Sequence, residues 1–253
     1  MDQITDAILA EFAKGHQIDD LPPERQFEHL AAFVTLRRHH TRTFDTDEIV
    51  VGGGGDTAID SVAILVNGAL VCDVDAVREL KERNGYIEAS FVFTQADRGN
   101  HFEGSKAGDF GFGVQDFFAE RPTLVRNQSV LEAAKIAKEI FANGNLFRTK
   151  PTCRLYYVTT GNWQGDQTIT ARINGAKAAL DDTKLFSTVE YLCYGADDIH
   201  RLYNQTKNAV QREFIFKDQV EAPLIDGVDQ AYLGFVPANE LLKVISDESG
   251  DDV

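Results

Sequence analysis

Apolar positions along the chain switch between two periods, and the switches mark out the elements. Ile4, Ala7, Ile8 and Phe12 recur at helical spacing, which predicts a first helix. A second is expected after Pro22-Pro23, since proline is preset for a first helical turn. Its apolar stripe is Phe27, Leu30, Ala31, Val34 and Thr35. Ile59 to Val66 then reads as a strand, with Asn67-Gly68 as the turn of a hairpin into Ala69–Cys72. Asp73 to Arg83 fits helix or loop. Tyr86 to Thr94, rich in β-branched and aromatic residues, fits a buried strand.

Downstream, a polar loop leads to a helix over Asp109–Glu120. Ser129 with Glu132 forms a capping box for a helix over Val130–Ala142, which Asn143-Gly144-Asn145 ends. Strands are expected at Arg154–Thr160, Thr188–Tyr194 and Val228–Val236, with a strand or hairpin pair around Arg212–Val220. Helices are expected at Asp166–Leu180, Asp197–Gln205 and Ala238–Ile245. Such alternation argues for an α/β layer fold.

Composition narrows the class. The 253 residues are 43% hydrophobic, enough for a packed core, and no apolar run is long enough to span a bilayer. Cys72, Cys153 and Cys193 lack metal-ligand spacing and read as buried thiols of a reducing compartment, so a cytoplasmic location is expected. The net charge of −15 argues against a bare nucleic-acid-binding module, where Lys and Arg supply most of the affinity. It argues less against a nuclease whose carboxylates are offset by divalent cations.

The glycine run Gly52-Gly53-Gly54-Gly55 precedes a strand, the wrong order for a phosphate loop, and no Gly-Lys-Ser/Thr follows. Asp60 stands immediately before the apolar strand, where a carboxylate is costly to bury unless paired or metal-bound. Asp56 reads as a loop residue that could support it. Gln95 and Asp97 share one face of a strand end, and the Ala96 carbonyl lies between them. Hard oxygen donors of this kind suit Mg²⁺ or Mn²⁺. Glu28, on the helix before the first strand, is a third carboxylate that could complete the set. Each residue also has an ordinary structural role open to it: a turn cap or an arginine partner for Asp60, a solvated strand end for Gln95 and Asp97, a solvated helix face for Glu28.

The cluster Arg37-Arg38-His39-His40 suits a helix C-terminus, with a phosphate contact as the alternative. Arg98, His101 and Lys106 are the nearest basic groups to the triplet. His29 and His200 read as structural.

Gly54-Gly55-Asp56-x-x-Ile59-Asp60 followed by Phe91-Val92-Phe93-Thr94-Gln95-Ala96 resembles the G-x-D…Q-x-K form of the PD-(D/E)xK nucleases, typical of Mrr-like enzymes. The later segments are similar to the abortive-phage-infection-resistance (AIPR) family. They are Leu155-Tyr156-Tyr157-Val158-Thr159-Thr160-Gly161-x-Trp163, Leu185-Phe186 with Val189, and Gly227-Val228-x-Gln230-Ala231-Tyr232-Leu233-Gly234-x-Val236-Pro237-Ala238. The resemblance implies a restriction-endonuclease-like mixed sheet flanked by helices over residues 1–143, with an AIPR-type α/β region over 144–253 packed on it. Family members are longer, so either a truncated C-terminus or a short relative is implied.

The implied activity is Mg²⁺- or Mn²⁺-dependent hydrolysis of nucleic acid, DNA above all, in bacterial anti-phage defence. The implied ligands are Asp60, Gln95, Ala96 and Asp97, with Glu28 assisting. A homodimer or a defence-system partner fits that role. The family triplet ends in Lys, whose loss costs on the order of 10²–10³ in rate if nothing replaces it. Here it ends in Asp97, so an inactive nuclease fold that binds a phage or host protein is the alternative.

Overall fold

The structure, a computed structural model, describes residues 2–52, 55, 57–207, 215–221 and 232–240. Contacts divide the chain into two units, 1–206 and 207–253.

In the first unit, α1 (Gln3–Gly15) and α2 (Pro23–Leu36) precede β1 (Ser61–Val66), β2 (Ala69–Leu70), α3 (Val74–Asn84) and β3 (Ala89–Asp97). Then come α4 (Gly104–Phe118), α5 (Gln128–Ala142), β4 (Thr152–Thr159), α6 (Gln167–Asp182), β5 (Thr188–Tyr194) and α7 (Ala196–Lys207). The strands form one mixed sheet in the order β2-β1-β3-β4-β5. β1 is antiparallel to β2 and β3, whereas β3, β4 and β5 run parallel. The chain is therefore α/β with a five-stranded mixed sheet flanked by helices, as the alternation of periods implies.

Strand alternation sends successive side chains to opposite faces. Phe91 and Phe93 of β3, with Leu155 and Tyr157 of β4, enter a core shared with α4, α5 and α6. Val92, Tyr156 and Val158 enter a second core with α1, α2 and α7. Cover on both faces explains why β1 is wholly buried and, after Ser61, apolar throughout. The five stripe residues of α2 are all buried, and Pro23 opens that helix.

Four expectations need correction. Asn127, not Ser129, caps α5: its side chain accepts from the Val130 N–H at 3.0 Å. Asn is as good an N-cap as Ser, and with Asn127 as the cap the N3 donor satisfied is the Val130 N–H rather than that of Glu132. Helix α4 begins at Gly104, five residues before the expected start. Cys72 is exposed, because it lies just past the short β2. The division at residue 143 falls inside the first unit, because β4 joins the ladder of β3 over eight residue pairs from Ser90–Thr152 to Asp97–Thr159. No helix among the described residues is long and apolar enough to cross a membrane.

In the second unit, β6 (Lys217–Glu221) pairs antiparallel with β7 (Tyr232–Phe235). β7 lies within the expected Val228–Val236 segment, and β6 overlaps the expected Arg212–Val220 segment and ends one residue past it. Residues 208–214, 222–231 and 241–253, which hold parts of those segments and most of the expected Ala238–Ile245 helix, lie outside the described residues.

Candidate metal and phosphodiester site

Antiparallel pairing brings the start of β1 to the carboxyl end of β3, where Ser61 faces Thr94. Asp60, one residue before β1, therefore meets the triplet. Its Oδ2 accepts from Gln95 Nε2 and from the Ala96 N–H, both at 2.6 Å. The Asp60 N–H donates to the Thr94 carbonyl at 2.9 Å, and the Asp60 carbonyl accepts from the Val51 N–H at 2.7 Å. Three sequence-selected residues, Asp60, Gln95 and Ala96, thus sit together at one sheet edge.

The turn before Asp60 is an unusual one. Thr57 and Ala58 have φ of 59° and 58°, a left-handed conformation that side chains with a Cβ disfavour. Helix α4 comes close at this point through Gly113, where a Cβ would lie 1.9 Å from the Thr57 carbonyl oxygen. The absence of a side chain on α4 lets the turn sit against it. Asp56 lies outside the described residues.

Asp97 shares the face of Gln95 and is engaged on both oxygens. Oδ1 accepts from the Gly99 N–H at 2.9 Å and Oδ2 from Lys106 Nζ at 2.7 Å. Tyr157 O–H lies 3.5 Å from Oδ2, and burial pushes its phenol up to about 12, so it stays protonated. Lys106 also pairs with Glu103 at 3.2 Å. The hydrogen bond to Asp97 raises the ammonium pKa, burial opposes, and Glu103 raises it again, so Lys106 is a fixed cation at neutral pH. Of the three basic residues after the triplet, Lys106 is the one that reaches it. Arg98 turns to Glu24 on α2 at 3.0 Å, and the exposed His101 lies beside Asn100 and Glu103.

Glu28 belongs to α2, which covers the Thr94 face of β3. The Thr35 and Thr94 hydroxyls meet there at 2.9 Å. Glu28 pairs with Arg25, whose guanidinium donates to the Val51 carbonyl at 3.0 Å. Val51 is also the donor to the Asp60 carbonyl, so Glu28 connects to the site through Arg25 and Val51.

The basic cluster at the end of α2 does not approach this edge. Arg37 donates to the Thr41 and Arg42 carbonyls, Arg38 lies over the Tyr194 ring, and His40 meets the Gly68 carbonyl at the hairpin turn. His29 is buried against Thr46 at 2.8 Å, a structural role, while His200 is exposed.

Neighbouring oxygens held about 2.1 Å from an octahedral Mg²⁺ stand about 3 Å apart. Asp60 Oδ2 and the Gln95 amide terminus, 2.6 Å apart, come near that spacing once the amide is turned to present its oxygen. The Ala96 carbonyl, 3.3 Å from the same amide, is a third hard donor. These three are the hard donors at this edge that would hold the ion. Asp97 fits a different role, since its charge is matched by Lys106. Among the described residues, no group of three or more His, Cys, Asp or Glu side chains gathers as a metal site. Comparison with protein-family models, curated proteins and solved structures finds no match to this chain.

Proposed function

We propose that the chain is a nuclease of restriction-endonuclease-like fold, related to the abortive-phage-infection-resistance proteins, which hydrolyses phosphodiester bonds of DNA in anti-phage defence with Mg²⁺ or Mn²⁺. The observation that carries the reading is the meeting of Asp60 with Gln95 and Ala96, next to a lysine-bearing helix turn. Asp60, Gln95 and the Ala96 carbonyl hold the ion. A bound divalent ion supplies Lewis-acid polarisation of the phosphoryl group and a more acidic water. Lys106, protonated and anchored by Asp97, supplies the positive charge that the triplet lacks, and it stabilises negative charge growing on the phosphate oxygens. Asp97 acts by holding Lys106 in place.

The test is cleavage of supercoiled plasmid by the purified chain with Mg²⁺ or Mn²⁺. Nicking that disappears in Asp60→Asn supports the reading. A second reading, a nuclease fold kept as an interaction module for a phage or host protein, draws on the net charge of −15 and on the engagement of both Asp97 oxygens. Absence of nicking together with absence of Mn²⁺ uptake in calorimetry decides for the module.

A further inference from the structure

At the other end of β3, seven residues and about 23 Å from Asp97 at strand rise, a cavity of about 300 Å³ opens beside Ser90. Its wall is a small hydrogen-bond relay. Arg154 Nη1 donates to Ser90 Oγ at 2.9 Å and to Thr152 Oγ1 at 2.8 Å, and Thr152 Oγ1 donates to Ser90 Oγ at 2.8 Å. Ser90 therefore accepts two bonds, and its own proton has no acceptor among the described residues. Arg154 Nε donates to Glu190 at 2.8 Å, which fixes the guanidinium plane, while Nη2 has no protein partner among those residues.

Lys150, on the same rim, gives one of its three protons to the Lys184 carbonyl at 2.8 Å. Glu88 on the rim is met by Arg148 at 3.9 Å. His39 lines the cavity as a neutral ring bonded to the Tyr156 hydroxyl at 2.7 Å.

We infer that this cavity binds the phosphate of a small phosphorylated molecule. Three donors of different kinds, a hydroxyl, a guanidinium edge and an ammonium, come from β3, β4 and the loop before β4. A tetrahedral group with three outer oxygens uses all of them, whereas a planar carboxylate offers two. The cavity volume suits a ligand of sugar-phosphate or mononucleotide size, at the lower end of small-molecule sites. The inference is independent of the chemistry proposed at the Asp60 edge.

Calorimetry on the full chain tests it, with inorganic phosphate and adenosine monophosphate as probes and acetate and adenosine as controls. The expected result is binding of both phosphate probes, weakened roughly tenfold in Ser90→Ala and in Lys150→Ala, with neither control binding comparably. Lys150 is exposed, so its variant folds and decides alone if Ser90→Ala does not. No heat with millimolar phosphate, unchanged affinity in the folded variants, or equal binding of acetate or adenosine overturns the inference.

Discussion

Lys106 Nζ lies 2.7 Å from Asp97 Oδ2, so the carboxylate that ends the Gln95-Ala96-Asp97 triplet is paired with a lysine from the next helix. Lys106 sits in the first turn of α4, where the helix dipole disfavours a cation. Asp97 and Glu103 offset that cost. Lys106→Ala is expected to lower metal-dependent plasmid nicking by about 10²–10³. Its melting temperature should barely change, since a pair with a half-exposed lysine is worth about 0–1 kcal/mol. Asp97→Lys alone would stand one ammonium beside another and gain nothing. The double exchange Asp97→Lys with Lys106→Asp restores a pair of the same charges and should nick faster than either single variant.

Asp60 has two duties that a conservative variant separates. Its Oδ2 closes the Ala96 N–H that β1 leaves behind, and in the proposed reading its charge holds the ion. Asn keeps an acceptor at that place and loses the charge. Asp60→Asn is therefore expected to abolish nicking and Mn²⁺ uptake while costing no more than about 1 kcal/mol in urea unfolding. Unfolding weakened by several kcal/mol would mean that the carboxylate matters chiefly to the fold.

How far the sequence revealed this depends on which physical signal each element carries. β1, β3, β4 and β5 were legible because alternating or unbroken apolar residues bounded by turns have few other uses. The hairpin was legible because Asn67 and Gly68 supply the two positive φ values, 52° and 80°, that a tight turn needs. Helix α3 was ambiguous because Val77 is its one fully buried residue, which leaves almost no apolar period to read. The early start of α4 was hidden by Gly104 and Gly108, poor helix formers whose small size serves packing against Arg172 of α6. That start places Lys106, so the Lys106–Asp97 pair was not legible although both residues stood out. Asp60 and Gln95 were legible as partners because antiparallel pairing brings a strand start to its neighbour's end.

His39 gives the fold a pH dependence. Burial, then Arg154, then Arg38 hold its pKa down to about 4, below the ordinary 6.5. A histidine whose folded pKa lies below the unfolded one stabilises the fold fully above about 6.5, and that contribution is lost as pH falls through about 4. Stability therefore falls between pH 7 and pH 5. Burial lowers His16 and His29 too, so the slope is shared. His39→Gln should remove its share, read as a smaller shift of the urea midpoint between the two pH values.

Gly113 links the packing of α4 to the position of Asp60. A methyl group there would meet the Thr57 carbonyl oxygen at 1.9 Å, and that atom is backbone, so the turn itself must move. The Thr57–Ala58 turn is already left-handed at two residues and has little freedom to yield. Gly113→Ala is expected to destabilise the chain by about 1–3 kcal/mol, the usual cost of overpacking, despite alanine's better helix propensity. Asp60 follows the turn by two residues, so nicking at a temperature where the variant is fully folded should fall as well. Gly175→Ala on α6, where an added Cβ meets nothing within 4 Å, is the matched control. It should stabilise slightly and leave nicking unchanged. Equal behaviour of the two variants would mean that the close approach of α4 to the turn does not set the position of Asp60.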